Sequence, residues 1–200
     1  MKKVRLILFV VFAMTTNMFA QGYKIGDKAM DFSLKSTNEN FVAMKDFTAA
    51  KGFIVIFTCN HCPFAKAYEQ RILLLDAKYA SKGFPVIAIN PNDANREPED
   101  SFENMQELAK ERKYTFPYLV DDTQDIAKTY GAARTPHVFV LKKEDDGLVV
   151  KYIGAIDDNS DDATKVTKKY VEQAVDALLA NKPIATAETK AIGCTIKWRP

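Results

Sequence analysis

The sequence is poor in several residue types, and each shortage excludes a class of protein. Three cysteines in 200 residues are too few for a disulfide-stapled scaffold. A net charge of only +2 leaves no basic excess for binding nucleic acid or an anionic membrane surface. We find no internal repeat and no low-complexity tract. With 47% hydrophobic and 27% charged residues, the chain has the composition of one ordinary globular domain.

The sequence also lacks an apolar run long enough to cross a membrane, but it begins like an export signal. Three basic residues precede the apolar stretch 6–14, which is about half of the roughly 20 residues that a membrane span needs. Ala20 then offers a small side chain before a cleavage site. We therefore predict that residues 1–20 are a signal peptide and that the mature chain has no membrane span. The exported protein would be periplasmic or secreted, where cysteine pairs persist.

The hydrophobic pattern over residues 22–181 predicts a single α/β domain. Short alternating runs at 31–34 and 41–44 flank a turn and predict an N-terminal β-hairpin. The remaining predicted elements are buried strands at 53–57, 85–89 and 118–120, helices at 63–79, from Pro98 onward, at 123–130 and at 163–180, and a hairpin of 138–141 with 148–152. Residues 182–200 show no strong periodicity, and we predict that they form a C-terminal tail.

One motif carries most of the chemistry, because Cys59-Asn60-His61-Cys62 lies between a predicted buried strand and the start of a predicted helix. Free backbone amides at a helix start favour a thiolate, which is the form that attacks disulfides. In such a motif the first cysteine lies at the exposed helix end, so Cys59 is the predicted nucleophile and Cys62 the resolving thiol. His61 would add a positive charge beside Cys59, and we expect the pKa of that thiol to fall to about 3.5–7.5.

The residues alone leave other interpretations of the cysteines open. The pair could be structural, or half of a zinc site completed by two of His61, His137 and Cys194. A soft metal such as copper bound by Cys59, Cys62 and His137 is a further alternative. Cys194 could be a third redox thiol, a small buried hydrophobic residue or an intermolecular partner. The position of the motif between strand and helix favours redox chemistry without a metal.

Several segments together carry a resemblance to a known family. They are Lys24-Ile25-Gly26-Asp27, Asp31-Phe32-Ser33-Leu34, Cys59-Asn60-His61-Cys62-Pro63, Arg134-Thr135-Pro136 and residues 152–159. On these residues, the span 25–180 resembles the thioredoxin superfamily in its exported AhpC/TSA-type (redoxin) branch. The segment 193–198 is similar to the C-terminal signature of a subgroup that contains the CNHCP motif. The resemblance implies a thioredoxin fold, in which helices flank a central mixed β-sheet preceded by an N-terminal β-hairpin.

The same resemblance implies a function and further site residues. Pro136 would follow a cis peptide bond facing the cysteines, and the backbone of Thr135 would hold an extended substrate segment by strand-like hydrogen bonds. The protein would be a thiol–disulfide oxidoreductase with a redox-active Cys59–Cys62 disulfide and no organic cofactor. Its partners would be protein or small-molecule thiols and disulfides, together with an upstream redox partner. In related exported proteins a histidine placed like His61 makes the disulfide a stronger oxidant.

Departures from the family pattern qualify this interpretation. Thr58 stands where thioredoxins carry tryptophan, and the strand 53–57 lacks their buried acid, so proton transfer at Cys62 would need water, His61 or another group. Ile56 stands where the peroxiredoxin pattern requires threonine. A thiol-dependent peroxidase, acting as an antioxidant protein, is therefore the alternative and not the leading prediction.

Overall fold

A computed structural model describes residues 22–200, so the predicted signal peptide at 1–20 lies outside the described residues. The strands are β1 (Lys28–Ala29), β2 (Ser33–Ser36), β3 (Phe41–Ala43), β4 (Gly52–Phe57), β5 (Val86–Asn90), β6 (Tyr118–Val120), β7 (Arg134–Thr135), β8 (His137–Glu144), β9 (Gly147–Gly154) and β10 (Cys194–Thr195). Eight of them form one sheet in the order β1-β9-β8-β4-β5-β6-β2-β3, and β10 pairs separately with β7. The α-helices are α1 (Pro63–Tyr79), α2 (Phe102–Glu111), α3 (Asp125–Tyr130) and α4 (Tyr170–Leu179).

Strand β4 is the centre of the fold and leads directly into the cysteine motif. All six of its residues are buried, as expected of a continuous apolar run covered on both faces. It pairs in parallel with β5 and antiparallel with β8, where Phe57 lies opposite His137. The predicted β4–α1–β5 unit, the hairpin of β2 with β3 and the hairpin of β8 with β9 are all present. The structure therefore confirms the α/β prediction.

Side chains of β4 alternate between two separate cores, as the period of two in a strand requires. Ile54 and Ile56 face the core formed with helices α1 and α4, which also contains Tyr68. Val55 and Phe57 face the other core, which includes residues of α3 and the N-terminal hairpin. Helices thus cover both faces of the sheet. Among residues 22–200, no helix has the length and the apolar character needed to cross a bilayer.

The last helix begins later than its sequence pattern predicts. The apolar spacing predicts a helix from 163, but α4 begins at Tyr170. The carboxylate of Asp158 accepts hydrogen bonds from the backbone N–H groups of Thr167 at 2.9 Å and Lys168 at 3.0 Å. These bonds hold the preceding residues in a loop, because a side-chain acceptor competes with helix formation for the same N–H groups.

The C-terminal residues are packed against the domain and do not form a detached tail. Strand β10 pairs antiparallel with β7, and Ile196 is buried in the core on the α3 face of the sheet. We call residues 191–199 the C-terminal strap. Its pairing with β7 brings it directly to the predicted site, which periodicity alone did not indicate.

Candidate active site

Thr135 lies against both cysteines of the motif at the start of helix α1. Cys62 is the N-cap residue of α1, and Pro63 occupies the first helical position, where proline is well tolerated. The Sγ of Cys59 lies 3.2 Å from the Thr135 hydroxyl, and the Sγ of Cys62 lies 3.3 Å from the Thr135 carbonyl oxygen. The Thr135–Pro136 peptide bond is cis. The structure thus brings Cys59, Cys62, Thr135 and Pro136 together.

The disulfide of the site differs from the predicted one. Cys62 is bonded to Cys194, across a sequence separation of 132 residues, and Cys59 is a free thiol. The expected Cys59–Cys62 disulfide is therefore absent from this state. The physical reason is the pairing of β10 with β7, which sets Cys194 directly opposite Thr135 and so beside Cys62.

The strap approaches the Thr135 edge very closely and is held by polar contacts. A Cβ on Gly193 would lie only 2.2 Å from the carbonyl oxygen of Thr135, so glycine is required there by space. Arg134 donates from Nη1 to the Gly193 carbonyl at 2.9 Å. Further along, the Lys197 N–H donates to Oδ1 of Asn92 at 2.9 Å. The strap is therefore an integral part of the site, held by specific contacts.

Asp100 supplies the buried acid that strand β4 lacks. Its side chain is fully buried and accepts hydrogen bonds from the Asn60 backbone N–H at 2.6 Å and from the Asn92 side-chain amide at 2.6 Å. Its Oδ2 lies 2.7 Å from Nδ1 of His61. Sequence reasoning did not select Asp100, because its local pattern is a proline-led acidic run before a helix. No feature of that run distinguishes a buried carboxylate from exposed ones.

The buried, acidic surroundings of Cys59 contradict the low pKa predicted for its thiol. Burial raises the pKa of the Cys59 thiol to about 11, and the nearby charge of Asp100 adds to this effect. The hydrogen bond from Thr135 opposes the shift but does not cancel it. His61 directs Nδ1 to Asp100 and Nε2 to Glu97 at 3.3 Å. The expected low pKa and exposed position of Cys59 are therefore both wrong for this state.

The proposed soft-metal set of Cys59, Cys62 and His137 does not form. Cys62 is already bonded to Cys194, and Nδ1 of His137 accepts a hydrogen bond from the Ala133 N–H at 3.3 Å. Among the described residues, the group with metal-ligand spacing is Cys59, His61 and Asp100, whose ligand atoms lie within 4.8 Å of one another. Because His61 and Asp100 already bond to each other, we interpret this group as a hydrogen-bond network around the thiol.

A cleft reaches the site from the side of helices α1 and α2, away from the strap. It has a volume of about 360 Å³ and is lined by Cys59 together with apolar and charged side chains. Tyr114 and Phe116 contribute apolar surface, while Lys66 and Arg112 contribute positive charge. A cleft of this size admits a small molecule, which could contact Cys59 in its lining.

Comparison with known proteins places the chain in a family. Residues 25–153 match the model of the AhpC/TSA family. The chain belongs to the AhpC/TSA family. Among curated relatives, the thiol-disulfide oxidoreductase ResA of Bacillus cereus is 26% identical over 165 residues, which cover 76% of this chain and 90% of that relative.

Solved structures show the same fold. An uncharacterized conserved protein from Geobacillus kaustophilus has a TM-score of 0.81 and 39% identity, covering 92% of this chain and 95% of that one. The thioredoxin domain of a thiol-disulfide oxidoreductase from Bacteroides vulgatus has a TM-score of 0.52 and 20% identity, covering 66% and 91% of the two chains. The predicted thioredoxin fold is therefore confirmed.

Proposed function

We propose that the protein is a thiol–disulfide oxidoreductase in which Cys59 attacks the substrate and Cys62 resolves the mixed disulfide. The observation that carries the proposal is the placement of both sulfurs against Thr135 at the start of α1. Membership of the AhpC/TSA family and the resemblance to ResA support the same reaction class. Buried apolar Ile56, where a peroxidatic site needs threonine, does not favour a dedicated peroxidase.

The chemistry is two successive thiol–disulfide exchanges. The thiolate of Cys59 attacks a substrate disulfide, so one sulfur of the substrate leaves as a thiolate and a mixed disulfide forms. Reduced Cys62 then attacks Cys59, which forms the Cys59–Cys62 disulfide and releases the second substrate thiol. His61 and Asp100 each have a side-chain N or O atom within 4.8 Å of the Cys59 sulfur, so this pair is placed to take the thiol proton directly or through one water.

The substrates and the compartment follow from the same site and from the sequence. The export pattern in residues 1–20 supports a periplasmic or secreted protein that exchanges with an upstream redox partner. While β10 lies along Thr135, the edge expected to hold an extended peptide is occupied. In this state, a small thiol or disulfide that enters through the cleft is the favoured substrate.

Single-cysteine variants test the assignment of roles. Cys59→Ser should abolish reduction of a small aromatic disulfide, because the attacking sulfur is lost. Cys62→Ser should accumulate mixed disulfides at Cys59, which mass spectrometry detects. Thr48→Ser, an exposed change in the turn before β4 and away from the site, is the control and should keep full activity. Unchanged turnover by Cys59→Ser would contradict the proposed function.

A further inference from the structure

The strap occupies the place where a substrate segment is expected. Strand β10 runs antiparallel to β7 with Cys194 opposite Thr135, the residue whose backbone borders the cysteine motif. A segment that adds to a sheet edge in this way gains affinity from main-chain hydrogen bonds. The cysteine it carries is disulfide-bonded to a cysteine of the motif. The chain thus presents its own C-terminal cysteine to the site as a bound substrate would.

Several contacts show that the strap is fitted to this position. Ile196 is only 4% exposed, and both the backbone N–H and the carbonyl of its neighbour Lys197 are hydrogen-bonded. The Lys197 carbonyl accepts from the backbone N–H of Asp93 at 3.0 Å and from Nε2 of Gln124 at 2.9 Å. The side chain of Arg96 donates to the Trp198 carbonyl at 2.8 Å. These hydrogen bonds hold the strap so that Cys194 lies beside Cys62.

The free thiol lies next to this disulfide. Cys59 and Cys62 contact the hydroxyl and the carbonyl oxygen of the same residue, Thr135, at 3.2 Å and 3.3 Å. The backbone of Cys62 also hydrogen-bonds to the Cys59 sulfur, and this contact stabilises its thiolate. Three sulfurs therefore lie around Thr135: the nucleophile of Cys59, the sulfur of Cys62 that it would attack, and the leaving sulfur of Cys194.

We propose that Cys194 is a third redox-active cysteine and that the Cys62–Cys194 disulfide exchanges internally with Cys59. The proposal rests on the proposed role of Cys59 as a nucleophile. The thiolate of Cys59 attacks Sγ of Cys62, the Cys62–Cys194 bond breaks, and Cys194 leaves as a thiolate that takes up a proton. One disulfide and one thiol are present before and after the step, so no external oxidant or reductant is needed.

The exchange connects the state in the structure with the state that the reaction requires. It generates the Cys59–Cys62 disulfide, which can oxidise an external dithiol. It also removes the covalent link that holds β10 at Thr135, so the edge can then receive an extended substrate. Cys194 would act as an internal substrate that keeps the site closed until exchange occurs.

The test uses the chain from residue 22 to residue 200 with one disulfide and one free thiol. The protein is incubated with iodoacetamide between pH 7 and pH 9, and the alkylated cysteine is identified by peptide mapping. We expect carboxamidomethylated Cys194 to appear beside Cys59, at a rate that rises about tenfold per pH unit. The pH dependence follows because the Cys59 pKa of about 11 keeps the thiolate a small fraction over this range. Alkylation confined to Cys59 at every pH would overturn the proposal.

A matched variant and a second readout complete the design. Cys59→Ser should keep the Cys62–Cys194 disulfide and give no alkylated Cys194, whereas Thr48→Ser, an exposed change in the turn before β4, should behave like the unsubstituted protein. If Cys59→Ser does not fold, cysteine mapping of the unsubstituted chain still decides the question. Turnover of a small disulfide is measured in parallel. Turnover without alkylated Cys194 contradicts the exchange alone, whereas alkylated Cys194 without turnover contradicts the proposed function alone.

Discussion

Two segments meet at Thr135, and they are held in place by different kinds of interaction. The motif and helix α1, residues 59–79, are fixed by a periodic apolar face that includes Tyr68 and Ile72. The strap buries Ile196 but depends mainly on hydrogen bonds to distant backbone and side-chain groups. The comparison teaches that the helix side is stabilised by buried side chains, both apolar and charged, whereas the strap side is stabilised by the polar contacts of an edge segment and one disulfide. Three substitutions test that contrast, in order of expected effect.

The largest loss of stability is expected on the helix side, at Arg71. Its guanidinium donates to both carboxylate oxygens of buried Asp157, at 2.9 Å and 2.7 Å. Arg71→Met would leave a buried carboxylate without its cation, so we expect a loss of about 3–5 kcal/mol in the free energy of unfolding, measured by urea denaturation. Lys78 lies on the same helix as Arg71 and forms a more exposed pair with Glu172 of α4. Lys78→Met is therefore the control and should cost less than about 1 kcal/mol. Equal losses would contradict the prediction that the buried ion pair contributes more to stability than the exposed one.

An intermediate effect is expected at Asp100, which joins the motif to the loop before α2. Asp100→Asn replaces an acceptor of several hydrogen bonds with a group that is partly a donor, and we expect a loss of about 1.5–3 kcal/mol. Because the charge of Asp100 raises the pKa of Cys59, the substitution should lower that pKa. Thiolate absorbance near 240 nm as a function of pH measures it. Glu99→Gln, an exposed neighbour, should leave the titration unchanged, and an unchanged titration in Asp100→Asn would rule out the charge effect.

The smallest effect is expected on the strap side, at Gly193. Gly193→Ala places a methyl group 2.2 Å from the Thr135 carbonyl oxygen unless the strap moves outward. We expect a loss of about 1–2 kcal/mol, because an edge segment can shift more easily than a packed helix. The same shift should make Cys59 more accessible, so its alkylation rate should rise. Ile192→Val, an exposed neighbouring change, serves as the control. A loss as large as that of Arg71→Met would contradict the contrast between the buried helix side and the more adaptable edge segment.

The helix side was predictable because its determinants are local. The three- and four-residue spacing of apolar side chains over 63–79 predicts the helix with the observed bounds. The apolar run after Gly52 predicts the buried strand, and the position between them selects Cys59 and Cys62. Family resemblance adds the cis-proline at Pro136, which no periodicity indicates. The structure and the comparisons confirm the fold and the family, and they support the proposed thiol–disulfide reaction class.

The strap side was not predictable, because its determinants are distant in sequence. Strand β10 has only two residues, too few for any period, and it pairs with β7 about 60 residues earlier. The acid that faces Cys59 lies 41 positions further along the chain, at Asp100. The predicted pKa of Cys59 was wrong for the same reason, since helix-end amides are a local effect and burial is a tertiary one.

The long sequence separation between Cys62 and Cys194 determines when their disulfide can form during synthesis. Synthesis proceeds from the N-terminus, so both motif cysteines emerge while the partner of Cys62 is still 132 residues away. During that interval Cys59 is the nearest thiol to Cys62 in the sequence. The Cys62–Cys194 disulfide can form only when the C-terminal segment has been made, and a chain interrupted before residue 194 would carry the motif without its closure.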